Sequence, residues 1–172
     1  MEFMRWGLIP NWAKDPKIAY MMINARAETL HTKPSYQKPL RSQRCLIPAS
    51  YFFEWKETKK GKVAYLIRLK NHEMFAFAGL YDVNDKAEGK EIKTYTIITT
   101  VPNSLIEPIH NRMPVILKKT TENIWLDPDY DAEKLRGLLV SFSPAFMEAY
   151  PVSSLVNDPK NDFEEITKSI SL

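Results

Sequence analysis

Tyr51-Phe-Phe-Glu-Trp55, Val63-Ala-Tyr-Leu-Ile-Arg-Leu69 and Phe75-Ala-Phe-Ala-Gly-Leu-Tyr81 decide the fold class. The first is dense in aromatic residues, which suit a pleated, half-buried surface. The second partly alternates apolar and polar residues, the period of a strand with one face in a core. The third is apolar almost throughout, as a strand buried on both faces requires. Cys45-Leu-Ile-Pro48, Tyr95-Thr-Ile-Ile-Thr-Thr100 and Val115-Ile-Leu117 extend the same signal in both directions. The first 40 residues read mainly as loop and short extended pieces, because Pro10, Pro16, Pro34 and Pro39 each restrict helix continuation.

The expected helices are short. A helix over Asn103 to Ile106 follows Pro102, which suits a first helical position. Thr121 is expected to cap a turn through Trp125, and Asp131 a helix through Val140 with Leu135, Leu138 and Leu139 on one face. Pro144 to Ala149 and Asn161 to Ile170 are further helix candidates, and Val152-Ser-Ser-Leu-Val156 is expected to return to the sheet. Many short strands with a few helices give an α+β fold on a mainly antiparallel β-sheet core. No βαβ alternation supports a Rossmann reading.

A chain of 172 residues suits one domain, 1–172, large enough to bury a core without staples. Its apolar content of 44% is ordinary, and its formal charge of +3 is too small to mark a nucleic-acid binder by itself. A single cysteine, Cys45, excludes an internal disulfide framework and fits a reducing, cytoplasmic location. No apolar run approaches a membrane span, and no signal-peptide pattern opens the sequence.

The polar groups that carry chemistry cluster in four places. Asn24, Arg26 and Glu28 alternate, so an extended backbone puts all three on one face. That face is either a solvated edge or a polar wall, and arginine suits a phosphate because its planar fork reaches two oxygens. Glu54 lies between Phe53 and Trp55. Loss of solvation among aromatics raises a carboxyl pKa and fits it for proton exchange near neutral pH. Alternation equally allows Glu54 to face water. His110 lies in Pro108-Ile-His-Asn-Arg-Met-Pro114, two residues before Arg112 and between prolines. Thr99 and Thr100 end a strand and either cap the next turn or line a site. Trp6, Trp12 and Trp55 are candidates for stacking on unpaired bases. Trp12 is better placed in the core. Cys45, in a strand-like run, reads as an inert buried thiol. His31 and His72 have no assigned role. The histidine spacing offers no metal site, and no cofactor is expected.

Trp6-Gly-Leu-Ile-Pro-Asn-Trp12, Met22-Ile-Asn-Ala-Arg-Ala-Glu-Thr29, Phe53-Glu54-Trp55 and Ile109-His110-Asn-Arg112-Met-Pro114 together resemble the SRAP family (SOS-response-associated peptidase, or abasic-site processing proteins). The resemblance runs from Trp6 to about Asn161. It implies an SRAP-like, barrel- or sandwich-like sheet core. It implies a monomer whose partner is single-stranded DNA containing abasic sites. It implies catalytic roles for Glu54, His110 and Asn24, and DNA contacts from Arg26, Arg112, Trp55, Thr99 and Trp6. The family's nucleophile is a cysteine directly after the initiator methionine, whereas this sequence begins Met1-Glu2-Phe3. The expectation is therefore a domain lacking the family's N-terminal segment, with crosslinking and lyase chemistry in doubt. A non-catalytic single-strand binding module, or a hydrolase or peptidase using His110 with Glu54, are the competing readings.

Overall fold

A computed structural model describes residues 1–131 and 134–171. Ten strands occur among them: β1 (Arg5–Trp6), β2 (Asn24–Arg26), β3 (Arg44–Ala49), β4 (Tyr51–Thr58), β5 (Gly61–Leu69), β6 (Phe75–Asn84), β7 (Ile92–Thr100), β8 (Met113–Pro114), β9 (Ile116–Leu117) and β10 (Met147–Pro151). Two α-helices, α1 (Pro34–Ser42) and α2 (Lys119–Leu126), accompany them among the described residues. The fold is α+β, as the sequence implies. Its contacts gather into two units. Unit 1 comprises Met1–Pro48, Ala76–Thr100 and Pro114–Ser141, and unit 2 comprises Ala49–Phe75, Val101–Met113 and Phe142–Leu172.

In unit 1 the sheet runs β1-β7-β6-β3 and is open rather than closed into a barrel. β6 and β7 pair antiparallel from Gly79 opposite Ile97 to Asn84 opposite Ile92. β1 and β2 instead lie parallel to β7, at Arg5–Trp6 opposite Thr94–Tyr95 and at Asn24–Arg26 opposite Ile97–Thr99. The core collects Leu8, Leu30, Leu40, Leu80, Ile98, Trp125 and Leu135, all buried. In unit 2 the sheet runs β10-β5-β4, antiparallel throughout, with β4 at one edge. Phe53, Trp55, Tyr150 and Val156 pack there against Ala64, Leu66 and Val152.

Several expected helices are absent. Residues after Pro102 form consecutive turns rather than a helix. Thr121 lies inside α2, whose N-cap is Lys118. Pro144 to Ala149 divides into a 3-10 turn, Pro144–Phe146, and the start of β10. Pro151 ends β10, so Val152 keeps only an isolated bridge to Ser169 and Ser154–Asn157 is a 3-10 turn. The Asn161 to Ile170 helix shrinks to Glu164–Thr167. Of the Asp131 to Val140 helix, residues 132–133 lie outside the described residues, and Lys134–Leu138 is 3-10. Sequence reading missed α1 because it contains Pro39. Burial of Tyr36, Pro39 and Leu40 holds that helix despite the hydrogen bond that proline removes.

Irregular segments in unit 1 are fixed by buried side chains. The Trp6–Trp12 segment crosses β6 and β7 with its main-chain groups satisfied from below. Ile9 N–H donates to Thr94 Oγ1 at 2.8 Å and Asn11 N–H to Asp82 Oδ2 at 2.8 Å. Asn84 Nδ2 donates to the carbonyls of Pro10 and Ala13 at 2.7 and 2.9 Å. Gly7 has φ +104°, and a Cβ there would lie 2.7 Å from the Ala19 carbonyl oxygen, so no other residue fits without strain.

Arg44, only 7% exposed, closes two helix ends at once. Its guanidinium donates to Leu40 and Arg41 carbonyls at 2.7 Å and to the Trp125 carbonyl at 2.6 Å, and also to the Asp127 carbonyl. Leu40, Arg41 and Trp125 are last-turn acceptors of α1 and α2, which have no partner within their helices, and Asp127 is the C-cap of α2. Burial lowers the Arg44 pKa, and the Asp127 charge opposes that shift. Replacing Arg44 leaves the buried carbonyls of Leu40 and Trp125 without this donor. Arg44→Ala should lower unfolding free energy by about 3 kcal/mol or more, and Arg44→Lys should recover little of it, because an ammonium cannot span both ends. Urea unfolding of the three proteins reads this directly, and near-equal midpoints would remove the clasp from the account.

Candidate active site

Glu54 sits on the edge strand β4, opposite Tyr65 on β5. Its neighbours Phe53 and Trp55 pack against the apolar cluster of unit 2. Alternation alone would then send Glu54 to water, yet its side chain is only 19% exposed. His110 explains part of this. Its Nδ1 lies 3.6 Å from Glu54 Oε2. Burial raises the Glu54 pKa above the ordinary carboxyl value, and the His110 charge partly offsets the shift. The same desolvation that raises the pKa makes the protonated carboxyl easier to keep than on an open surface.

A chain of polar contacts within unit 2 delivers His110 to this place. Asn103 is buried, and its Oδ1 accepts the N–H groups of Leu105 and Ile106 at 3.0 Å. Its Nδ2 donates to the Phe142 carbonyl at 2.7 Å. The His110 N–H then donates to the Ile106 carbonyl at 2.9 Å, with Ile106 fully buried. At the ring, Nδ1 is 3.0 Å from the Arg112 carbonyl oxygen and 3.2 Å from the Arg112 nitrogen. The shorter contact is to an acceptor, and Glu54 adds a second acceptor. The Arg112 N–H donates to an unprotonated Nδ1, whereas a protonated Nδ1 donates to the Arg112 carbonyl, so Arg112 serves both tautomers of the ring.

Glu54, His110 and Trp55 border an open cavity of about 420 Å³, together with Lys62 and Asn157. The Trp55 indole N–H donates to Asn157 Oδ1 at 2.7 Å. Arg112 contributes its main-chain groups to the histidine. Lys62 lies near the hairpin tip, opposite Glu57 in register. Sequence reading missed Lys62, Asn157 and Asn103 as site or support residues. Lys62 sits in a run of lysines that reads as a solvated turn, and no local signal connects Asn157 to Trp55 across 102 positions.

The other expected site residues belong to unit 1. Asn24 and Arg26 are exposed on one side of β2 with Ala25 buried between them, as the alternation predicts. Glu28 departs from that face, because the backbone turns into the 3-10 helix Ala27–Thr29. Thr99 is buried opposite Arg26, its hydroxyl 3.5 Å from the Ala25 carbonyl. Trp6 is 50% exposed and its indole N–H donates to the Ile23 carbonyl at 2.8 Å. Trp12, expected in the core, is 53% exposed. Cys45 lies under Gly79: a Cβ on that glycine would meet its Sγ at 2.9 Å. Burial pushes the Cys45 thiol up to about 12, so almost no thiolate exists near neutral pH. Among the described residues no three His, Cys, Asp or Glu side chains gather as a metal site requires. No helix among them is long and apolar enough to cross a membrane.

The fold and the cavity define an α+β protein with a carboxyl–imidazole contact at a sheet edge. The model of the SRAP family (SOS response associated peptidase) matches residues 1–159, and the chain belongs to that family. It is 55% identical over 168 residues to the abasic site processing protein YoqW of Bacillus subtilis, covering 96% of this chain and 75% of that one. A second Bacillus subtilis relative, the abasic site processing protein YoaM, is 52% identical over 165 residues, covering 95% and 73%. A solved protein structure from Bacteroides thetaiotaomicron superposes with a TM-score of 0.91 at 36% identity, covering 98% of this chain and 76% of that one.

The raised Glu54 pKa has a consequence for stability. In the window between its unfolded pKa and its higher folded pKa, the folded state holds the extra proton. Stability therefore falls as pH rises through that window, and the cost is fully present above it. Glu54→Gln removes the cost. The variant should gain in thermal midpoint relative to the parent as pH is raised from about 4 toward 7. A midpoint difference independent of pH would show that Glu54 titrates normally.

Proposed function

We propose that this chain recognises abasic sites in single-stranded DNA, with Glu54 and His110 as its acid/base pair. The observation that carries the reading is the Glu54–His110 contact at 3.6 Å beside a cavity that also offers a tryptophan, a lysine and an asparagine. Relatives named abasic site processing proteins support it. An abasic nucleotide is a sugar between two phosphates, without a base. A cavity of about 420 Å³ is of suitable size for such a group.

The chemistry follows from the substrate. A closed abasic sugar opens when its C1′ hydroxyl loses a proton and its ring oxygen gains one. A carboxyl whose pKa is raised by burial is suited to supply the second proton, and an imidazole nitrogen with a lone pair to take the first. Lys62 places a positive charge at the cavity for a flanking phosphate. Asn24 and Arg26 on β2 offer an amide and a guanidinium fork to the sugar-phosphate backbone. Trp6, Trp55, Thr99 and Arg112 complete the set of proposed contacts. Cys45 takes no part, since its thiol stays protonated.

Fluorescence anisotropy with a labelled single strand carrying one abasic site, against the same strand intact, tests the reading. The abasic strand should bind more tightly. Affinity should fall with added salt, with a log–log slope of about −0.7 per phosphate contact. The Glu54→Gln, His110→Ala double variant should lose the preference for the abasic strand, and Cys45→Ser should keep it. Equal binding of both strands by the parent chain would overturn the proposal. A salt-insensitive peptide hydrolysis abolished by the same double variant would favour a hydrolase instead.

A further inference from the structure

The Trp55–Asn157 hydrogen bond joins two side chains 102 positions apart at the wall of the cavity that holds Glu54 and His110. Neither sequence pattern nor the acid/base chemistry calls for it. Its surroundings show a built support. Asn157 ends the 3-10 turn Ser154–Asn157, whose first N–H groups are capped by Ser153 Oγ accepting from Leu155 N–H at 3.3 Å. Asn161 Nδ2 donates back to the Leu155 carbonyl at 2.7 Å. Val156, one residue before Asn157, packs against the same apolar cluster as Trp55. The turn is thus pinned on both sides of its apolar residue, and its last residue reaches the indole edge.

An indole rests on two rotatable bonds, and Trp55 packs against the cluster of Ala64, Leu66 and Val152 while also lining the cavity. The hydrogen bond to Asn157 fixes the remaining freedom by holding the ring edge. A tryptophan fixed in this way presents a flat apolar surface to the cavity without an ordering cost when a ligand arrives. It also keeps the indole N–H paired. The geometry points to Asn157 as a positioning residue that holds Trp55 as a stacking platform for the base next to an abasic site. The inference rests on the abasic-site reading and adds what the strand must offer: an intact neighbouring base, purine before pyrimidine. A sugar-phosphate alone would fill the acid/base corner and leave the platform unused.

Two single-stranded oligonucleotides separate the roles. Both carry a central abasic analogue. One has adenines on either side, and the other has further abasic analogues there, so no base is available to stack. The parent chain should bind the adenine-flanked strand about tenfold more tightly, the order of effect of one stacked base. Asn157→Ala should cut that ratio to about twofold, whereas Asn157→Asp, which keeps the acceptor oxygen, should retain most of it. Trp55→Phe, which keeps a ring but loses the N–H donor, should also lower the ratio. Adding Asn157→Ala to Trp55→Phe should lower it no further, since the two act through one contact.

The ratio is internal to each protein, so a general loss of fold or affinity does not imitate the result. Should Asn157→Ala fail to fold, Trp55→Phe and Asn157→Asp carry the comparison. An unchanged ratio in Asn157→Ala, or additive losses in the double variant, would overturn the inference while leaving abasic-site recognition standing. Failure of the parent chain to bind either strand would overturn the underlying reading and this inference with it.

Discussion

Much of this chain runs outside strands and helices, and every buried N–H and carbonyl on such a path needs a partner. The protein meets that constraint with buried polar side chains that each gather several main-chain groups. Arg44 collects carbonyls from the ends of α1 and α2. Thr94, Asp82 and Asn84 collect the segment from Ile9 to Ala13. Asn103 collects the turns that lead to His110. These residues cost desolvation, but each one replaces a local ladder that the irregular backbone cannot supply. His110 follows a segment organised in this way, whereas Glu54 is placed by the strand β4.

The same logic explains the balance within unit 2. An edge strand exposes main-chain groups and side chains along its free side. On β4 the side chains divide between the core and the cavity. Phe53 and Trp55 turn to the apolar cluster, and Glu54 meets His110. A carboxyl at a half-covered edge loses enough water to raise its pKa while remaining open to a ligand. A residue deeper in the core would be sealed, and one on an open turn would stay ionised.

The central strands were readable because their apolar and β-branched runs match strand periodicity so closely. Phe75 to Tyr81 and Tyr95 to Thr100 extended by only a few residues in the structure. The helices were not readable to the same degree. Pro144 to Ala149 and the acidic stretch Asn161 to Ile170 read as helices, but those segments are too short and too tied to neighbouring strands to propagate. α1 hid behind Pro39, where packing outweighs propensity. At the site, Glu54 and His110 stood out through their local motifs. Asn157 and Lys62 did not, because their roles depend on contacts that only folding creates. Arg44 carries no local signal for its part in fastening two helices, since its partners lie in α1 and α2.

The account depends most on Glu54 and His110 meeting the lesion itself. Carbon-detected NMR of the Glu54 carboxyl and the His110 ring, recorded while single-stranded DNA is added, addresses this directly. The account predicts resonance shifts at both groups with a strand carrying an abasic site, and much smaller shifts with the intact strand. Equal shifts with the two strands, or shifts confined to other residues, would contradict it.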